Sequence, residues 1–209
     1  MKITVFGSTG MMGKRLVQQC LFQGHQVRAF GRNVFTTDYT QTDKLELVKG
    51  ALFDEAEVLS AVKDTDAVLS ALGGGFDGTD KTRSLGIKNI ITQMEKTSVK
   101  RIVGIGGMGI LNAEEEKLVM ETEGFPDKYL ALSEEHLKAY QLLKASMLDW
   151  TMVCPPDIID AGPTGIYHTI ANFLPQPNNY RINAGDLAMF MIQELEKREF
   201  VRERVGISG

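Results

Sequence analysis

The sequence predicts an α/β fold in which helices cover both faces of a mainly parallel, doubly wound sheet. Short apolar stretches alternate along the chain with longer amphipathic ones, as strands alternate with helices in such folds. Two of these stretches, at 66–72 and 150–154, are almost wholly apolar, which is typical of strands buried on both faces. Several predicted strands also end in glycines, and the carboxyl ends of parallel strands are where such sheets bind ligands.

Composition points to a soluble globular protein. The chain has 209 residues, of which 43% are hydrophobic and 24% charged. A net charge of −4 gives no reason to expect nucleic acid or an anionic membrane as a partner. No apolar run approaches the roughly 20 residues that span a bilayer, and no signal peptide precedes the first strand. Cys20 and Cys154 stand in apolar settings and are expected to stay reduced, so we expect a cytoplasmic protein. No metal-ligand spacing occurs.

The chain opens on a strand, a glycine-punctuated turn and a helix, which together predict the first unit of a dinucleotide-binding, Rossmann-like fold. Gly7 tolerates the positive φ of a tight turn, Gly10 lets the backbone approach a pyrophosphate, and Gly13 lets the helix pack closely. An ordinary strand-to-helix turn is the alternative, and the context favours a dinucleotide. We therefore expect cofactor contacts from the whole turn, namely Gly7, Ser8, Thr9, Gly10, Met11, Met12 and Gly13.

The residue after the second strand indicates which dinucleotide is bound. Residues 26–30 alternate as a strand, and Arg32 and Asn33 follow where an acidic residue would hold the ribose of NAD. A guanidinium binds phosphate through a forked pair of donors. We therefore expect Arg32 to favour NADP(H) over NAD(H). The alternative is a solvated surface arginine.

The remaining elements follow in order along the chain. We expect strands at 45–48, 66–72, 101–105, 150–154 and 180–182, a last strand or tail at 201–207, and helices at 11–23, 55–62, 81–96, 133–146 and 183–195. Asp54 and Ser133 are the expected N-caps of the second and fourth helices. Leu85, Ile87, Ile90, Ile91 and Met94 would form the apolar face of the third. We expect one domain, 1–209, with segments 108–132 and 155–182 forming the substrate side.

Right-handed crossovers would bring the loops after the strands to one edge of the sheet. Phe53 and Asp54 follow the third strand and would lie beside a bound adenine. Leu72, Gly73 and Gly74 follow the fourth, where glycines let a loop pass close to a ligand, although a flexible turn would use them too. We assign all five to the cofactor.

Motifs spread over the whole chain resemble one family. They are the turn at 7–13, Arg32, His136 in its helix, the strand Trp150-Thr151 that runs to Pro155-Pro156, and the helix start Asn183 to Ala188. Together they resemble the atypical short-chain dehydrogenases, in particular the NAD(P)H-binding group that contains the flavin reductases of the biliverdin reductase B type and the NmrA-like proteins.

This resemblance implies a monomer-like domain that binds NADPH across the edge described above. The nicotinamide side would be formed by the residues after the fifth and sixth strands. Carried over, Gly106, Gly107, Pro155 and Pro156 would contact the cofactor, and Met108, Asp157 and Ile158 the substrate. The flavin reductase branch often has a serine where this chain has Gly107, so serine-assisted proton delivery is in doubt.

Three residues are candidates for catalysis. Tyr140 and Lys144 form the Y-x-x-x-K pair of the wider superfamily, and charge proximity could lower the tyrosine pKa. Only ten residues separate Tyr140 from Trp150, where that superfamily usually has about two dozen, so a packed tyrosine with a surface lysine is the alternative. His136 is a candidate pocket residue, with packing on its helix face as the alternative.

The resemblance implies an NADPH-dependent reductase that transfers hydride to a flat acceptor such as a flavin, a tetrapyrrole or a quinone. A small molecule would be the partner, and the protein a monomer or weak dimer. Two alternatives stay open. The first is a non-catalytic, NADP(H)-sensing regulator of the NmrA-like type. The weaker one is a sugar epimerase or dehydratase, for which the chain is short of a carboxyl-terminal substrate domain.

Overall fold

The computed structural model describes residues 1–209, and it confirms the α/β fold with a mainly parallel sheet. The strands are β1 (Lys2–Phe6), β2 (Gln26–Gly31), β3 (Leu45–Lys49), β4 (Ala67–Ser70), β5 (Arg101–Ile105), β6 (Asn112–Glu114), β7 (Lys117–Leu118), β8 (Asp149–Cys154), β9 (Asp157–Ile159), β10 (His168–Ala171), β11 (Arg181–Asn183) and β12 (Glu203–Ser208). The helices are α1 (Met11–Phe22), α2 (Glu55–Val62), α3 (Thr82–Glu95), α4 (Leu130–Ala145) and α5 (Ala184–Lys197).

Eight of these strands form one sheet in the order β10-β12-β8-β5-β4-β1-β2-β3. All neighbours pair in parallel except β10, which runs antiparallel to β12 at the edge. From β1 the chain first builds outward to β2 and β3, and then crosses back to β4 on the other side. The carboxyl ends of β1 and β4 therefore mark the switch point, where open α/β sheets bind ligands.

Helices cover both faces of the sheet, because side chains of successive strand residues point to opposite faces. In β1, Val5 belongs to the core cluster beneath α1 and α5, whereas Phe6 belongs to the cluster beneath α2, α3 and α4. Both side chains are fully buried. Two apolar layers thus hold the strand ends in fixed positions, and the loops that leave them form the site.

The fourth helix begins earlier than predicted. It starts at Leu130, after a short 3₁₀ turn at Asp127–Tyr129, so Tyr129 and not Ser133 is its N-cap. Ser133 lies one turn inside the helix and is 4% exposed. Ser133 was predicted as the N-cap because serine is a preferred N-cap residue, but the helix already begins three residues earlier. The Ser133 side chain instead packs against Gly109, since a Cβ added to Gly109 would lie 2.3 Å from the Ser133 Oγ.

Other differences are local. Leu85 is 50% exposed and does not belong to the buried face of α3, whereas Ile87, Ile90, Ile91 and Met94 do. β4 ends at Ser70, so Ala71 and Leu72 already form the wall of a cleft. The segments expected to pass over the edge contain short strands of their own. β6 pairs with β7, and β9 pairs in parallel with β11.

Candidate functional site

A cleft of 1440 Å³ lies at the carboxyl ends of the parallel strands. Its lining comes from the turn after β1, from the ends of β2, β4, β5 and β8, and from residues 122–126. Sites for one small ligand usually measure roughly 300–1000 Å³. This cleft therefore has room for a dinucleotide and for a second molecule beside it.

The three glycines of the opening turn have different roles. Gly7 has a φ of +74°, and a Cβ on it would lie 2.3 Å from the Ala71 carbonyl oxygen. A Cβ on Gly13 would lie 2.0 Å from the Gly7 carbonyl oxygen. Around Gly10 the nearest such atom is the Gly7 oxygen at 3.5 Å, and Gly10 lines the cleft. Gly7 and Gly13 are therefore required by the turn, whereas Gly10 leaves space open for a ligand.

The amino end of α1 fits a pyrophosphate. Gly10 is its N-cap, and neither a side-chain cap nor an acidic residue occupies its first turn. The backbone N–H groups at this end have no partner within the helix, and the helix dipole favours an anion there. Thr9, Met11 and Met12 line the cleft around this end. Hydrogen-bond donors and open space thus coincide where the sequence predicted the phosphates.

The side chain of Ser8, predicted as a cofactor contact, faces the protein interior and does not line the cleft. It is fully buried, and its Oγ donates a 2.9 Å hydrogen bond to the Phe30 carbonyl. The Tyr39 hydroxyl donates in turn to the Ser8 carbonyl at 2.7 Å. The alternation of side chains after β1 directs Ser8 inward, so the residue joins the turn to β2 and supports the site from behind.

The cofactor residues predicted beyond β2 and β3 divide into two groups. Arg32 and Phe53 line the cleft, and the exposed Arg32 guanidinium makes neither an ion pair nor a hydrogen bond within the protein. Asn33 and Asp54 do not line it. The Asp54 carboxylate accepts from the Glu57 backbone N–H at 2.9 Å and caps α2, which confirms that N-cap and removes its side chain from the site.

The ends of the central strands supply most of the remaining predicted residues. Those that line the cleft are Leu72, Gly73, Gly106, Gly107, Met108, Pro155, Pro156, Asp157 and Ile158. Gly74 does not line it. Its carbonyl accepts a 3.0 Å hydrogen bond from the Arg83 guanidinium.

His136 reaches the cleft from α4. It is 6% exposed, and a Cβ on Gly107 would lie 2.9 Å from its Cδ2. The absence of a side chain at Gly107 thus leaves room for the imidazole. The Nδ1 of His136 is buried without a hydrogen-bond partner. Burial, with the nearby Arg83 charge, lowers the pKa of His136 from 6.5 to about 3, so the ring is neutral at pH 7.

The burial of His136 makes the folded protein sensitive to acid. Between pH 6.5 and about 3 the unfolded chain binds a proton that the folded chain does not. The contribution of His136 to the free energy of unfolding is therefore fully present above pH 6.5. It is lost as the pH falls, by up to about 1.4 kcal/mol per pH unit. Urea denaturation at pH 7, 5 and 4 should show a shallower loss for His136→Gln than for wild type. Equal slopes in His136→Gln and wild type would contradict the assignment.

Tyr140 and Lys144 lie outside the cleft. The Tyr140 ring packs edge-on against Trp150, with centroids 5.7 Å apart, and the Arg204 guanidinium lies 4.7 Å from its centroid. The Lys144 Nζ is 5.9 Å from the same ring. His136 faces the cleft, and Tyr140 lies one turn further along the same face of α4, beside Trp150 of β8. The structure therefore does not bring the Y-x-x-x-K pair to the site.

Several cleft residues escaped the sequence analysis. They are Phe76, Arg83, Phe125, Tyr129, Leu132, Ser133 and Leu174. Arg83 looked like one more polar residue of an amphipathic helix, and Phe76 stood in a glycine-rich loop. The sequence offered one signal for the others, since Phe125, Tyr129 and Leu132 fall in segment 108–132 and Leu174 in segment 155–182, the two segments expected to form the substrate side. Across the mouth of the cleft, the Tyr129 hydroxyl donates to an Asp157 carboxylate oxygen at 3.4 Å.

A sequence model described as NAD(P)H-binding matches residues 7–198, which covers the turn, the residues that line the cleft and every strand of the main sheet except β1 and β12. The chain belongs to this NAD(P)H-binding family. Membership in this family supports a nicotinamide cofactor. The cleft offers such a cofactor open space beside the free backbone N–H groups of α1. Membership also supports an oxidoreductase. No helix of this NAD(P)H-binding protein has both the length and the apolar character to cross a membrane.

Three solved structures are similar over essentially the whole chain. A Burkholderia pseudomallei protein provisionally named as exported is 32% identical, with a TM-score of 0.87 and full coverage of both chains. A Streptococcus pneumoniae protein provisionally named NADH-flavin reductase is 26% identical, with a TM-score of 0.86 and coverage of 100% and 99%. A Bacteroides thetaiotaomicron protein provisionally named epimerase is 28% identical, with a TM-score of 0.84 and coverage of 99% and 96%.

Proposed function

We propose that this protein is an NADPH-dependent reductase of a flat, conjugated acceptor such as a flavin, a tetrapyrrole or a quinone. One observation carries the proposal: a single cleft joins the phosphate-binding turn and Arg32 at one end to an apolar and aromatic wall at the other. The bound cofactor would supply a hydride. The protein's own part is to hold the cofactor and the acceptor in register and to keep water out.

The acceptor end suits a flat molecule. Its wall includes Phe76, Met108, Phe125, Leu132 and Leu174, and Phe76 is 59% exposed. An aromatic side chain left open inside a cleft is available to stack on a planar ligand. The provisional name of the Streptococcus relative supports the same class of acceptor.

The absence of Tyr140 and Lys144 from the cleft bears on the alternatives. A sugar epimerase or dehydratase is favoured by the provisional name of the Bacteroides relative, but the family chemistry of that class would use the tyrosine and lysine that point elsewhere here. Because its pKa is lowered, His136 carries no extra proton to deliver at neutral pH, and protonation of the product is left to solvent. Flat conjugated acceptors tolerate this, because solvent can protonate the reduced product. A sensor without turnover would bind NADPH in the same cleft and oxidise none.

A panel of acceptors tests the function. NADPH absorbance is followed with FMN, biliverdin and a quinone in turn, and again with NADH in place of NADPH. Oxidation that depends on one of these acceptors supports the reductase. Tight NADPH binding without oxidation by any acceptor supports the sensor. Interconversion of a nucleotide sugar with no net change in NADPH would favour the epimerase.

The preference for NADPH is proposed to rest on Arg32. Because its guanidinium is exposed and unpaired at the rim, it is free to bind a 2′-phosphate. Arg32→Asp should weaken NADPH binding by about 100-fold, roughly 2.7 kcal/mol, and leave NADH binding within about threefold. Fluorescence titration with each cofactor measures both constants. Lys14→Asp, an exposed change on α1 away from the cleft lining, is the control for net charge. Equal losses for the two cofactors would contradict the role of Arg32.

The proposal extends to setting and partners. A small-molecule acceptor is the proposed partner, and a monomer or weak dimer the proposed state. Two buried free cysteines, Cys20 and Cys154, support a reducing compartment, and we propose the cytoplasm. Gel filtration and fractionation of cells test the two proposals separately.

A further inference from the structure

The acceptor end of the cleft contains a buried cation that the proposed hydride transfer does not use. Arg83 lines the cleft from α3 and is 7% exposed. Its two terminal nitrogens donate to the carbonyls of Gly75 and Gly74, each at 3.0 Å. A guanidinium has more N–H groups than these two bonds use, and the Nε of Arg83 is buried with no partner. A buried donor that is left unpaired destabilises the protein unless a ligand satisfies it.

The neighbouring carboxylates do not neutralise this charge by direct pairing. Asp80 accepts from the backbone N–H of Gly75 and of Thr82, each at 2.8 Å. Glu135 accepts from the Ser84 hydroxyl at 2.6 Å and pairs with Lys138 at 3.0 Å and Lys81 at 3.3 Å. Neither carboxylate bonds to the Arg83 guanidinium. Asp80 and Glu135 act on the Arg83 charge only through space. The N–H groups of its terminal nitrogens that the two carbonyls do not use therefore remain available at the wall of the cleft.

Two other side chains complete the arrangement. The Phe76 ring lies beside Arg83, with the guanidinium carbon 6.0 Å from its centroid. His136, the other buried residue here with an unpartnered nitrogen, is close enough that the Arg83 charge contributes to keeping its ring neutral. A neutral imidazole can donate one hydrogen bond. An aromatic face, a cation and an imidazole thus meet at the same end of the cleft.

From this arrangement we infer that the subsite binds an acceptor whose aromatic or conjugated frame carries an acidic oxygen, such as a carboxylate. Arg83 holds the anionic oxygen, His136 donates a hydrogen bond beside it, and Phe76 stacks on the frame. The inference rests on the proposed function, because it names the class of acceptor for that site. A charged hydrogen bond in a partly dehydrated cleft is among the stronger polar contacts that a ligand can make, which would make the negative charge a strong determinant of binding.

The test uses a matched pair of flat probes, 2-naphthoate and its neutral isostere 2-naphthamide, and requires no turnover. Isothermal calorimetry measures both on the full chain saturated with NADP⁺. Wild type should bind the naphthoate at least about tenfold more tightly, roughly 1.4 kcal/mol. Arg83→Met should remove this preference, and Arg83→Lys should retain part of it. Lys88→Met is the control, since Lys88 is an exposed cation of the same helix without an ion pair, and it should keep the full preference.

Each outcome decides the matter. If the glycine loop loosens in an Arg83 variant, the binding of both probes should weaken alike. The ratio of their two dissociation constants therefore still reports on the charge. Equal binding of the two probes by wild type, or an unchanged ratio in Arg83→Met, overturns the subsite. If no acceptor oxidises NADPH while the naphthoate preference persists and depends on Arg83, the reductase proposal fails and the anionic subsite stands.

Discussion

Replacing Gly10 with alanine should remove most of the affinity for the nicotinamide cofactor and leave the fold intact. An alanine Cβ at this position would approach the protein no closer than 3.5 Å, at the Gly7 carbonyl oxygen, which is ordinary van der Waals contact. Its methyl group would project into the cleft at the uncapped end of α1. A pyrophosphate could then no longer reach the free backbone N–H groups. We expect NADPH binding to weaken by about 100-fold, close to 2.7 kcal/mol.

The neighbouring glycine provides a matched control. Gly13→Ala would place its Cβ 2.0 Å from the Gly7 carbonyl oxygen, so the turn itself must shift. We expect that variant to lose stability as well as cofactor, whereas Gly10→Ala keeps the wild-type thermal midpoint within about 2 °C. Fluorescence titration with NADPH and thermal unfolding without it separate the two effects. Wild-type affinity in Gly10→Ala would show that the turn does not bind the phosphates as described, and a large fall in its midpoint would show that the turn itself requires Gly10.

Much of the fold could be predicted because strand and helix periods are local signals. Residues 101–105 and 55–62 were predicted to the residue, since continuous apolar strands and a capped helix leave little choice. The strand β11 was predicted one residue early, at 180–182, but β9, with which it pairs, and the antiparallel edge strand β10 could not be predicted in this way. Their residues are half-exposed and short-range patterns in them are weak. They form because the sheet edge and the end of β8 offer backbone partners that only the assembled fold provides.

The candidate site shows the same division. The phosphate end was predicted from glycines and a helix start. A site built from backbone N–H groups requires residues without side chains where the ligand approaches the backbone, and such residues are visible in the sequence. The acceptor end depends on side chains such as Arg83 and Phe76, which come together from different elements. Ser133 shows the difficulty: its type and position fit an N-cap, yet three preceding residues already continue the helix backward to Leu130. Tyr140 matches a catalytic pattern by spacing, but it lies one helical turn beyond His136, where its ring packs against Trp150 near the start of β8.

The largest effect on stability is expected at a buried ion pair far from the cleft. Arg101 starts β5 and is 3% exposed, and its guanidinium contacts the Glu194 carboxylate of α5 at 2.9 Å. The same carboxylate accepts from the Thr151 hydroxyl at 3.1 Å and from the Phe200 backbone N–H at 2.9 Å. One buried charge therefore joins two strands, a helix and the turn that follows it.

Glu194→Gln keeps the size of the side chain and removes its charge, so the buried Arg101 cation loses its counter-ion. Because an uncompensated buried charge is costly, we expect the free energy of unfolding at pH 7 to fall by about 3–5 kcal/mol, as measured by urea denaturation. Glu196→Gln, an exposed change on the same helix, should alter it by less than about 0.5 kcal/mol. Replacing both Arg101 and Glu194 with leucine should recover much of the loss, since a pair of apolar side chains leaves no unpaired charge. A loss below about 1 kcal/mol in Glu194→Gln, or a double variant less stable than the single one, would mean that the ion pair is not what stabilises this junction.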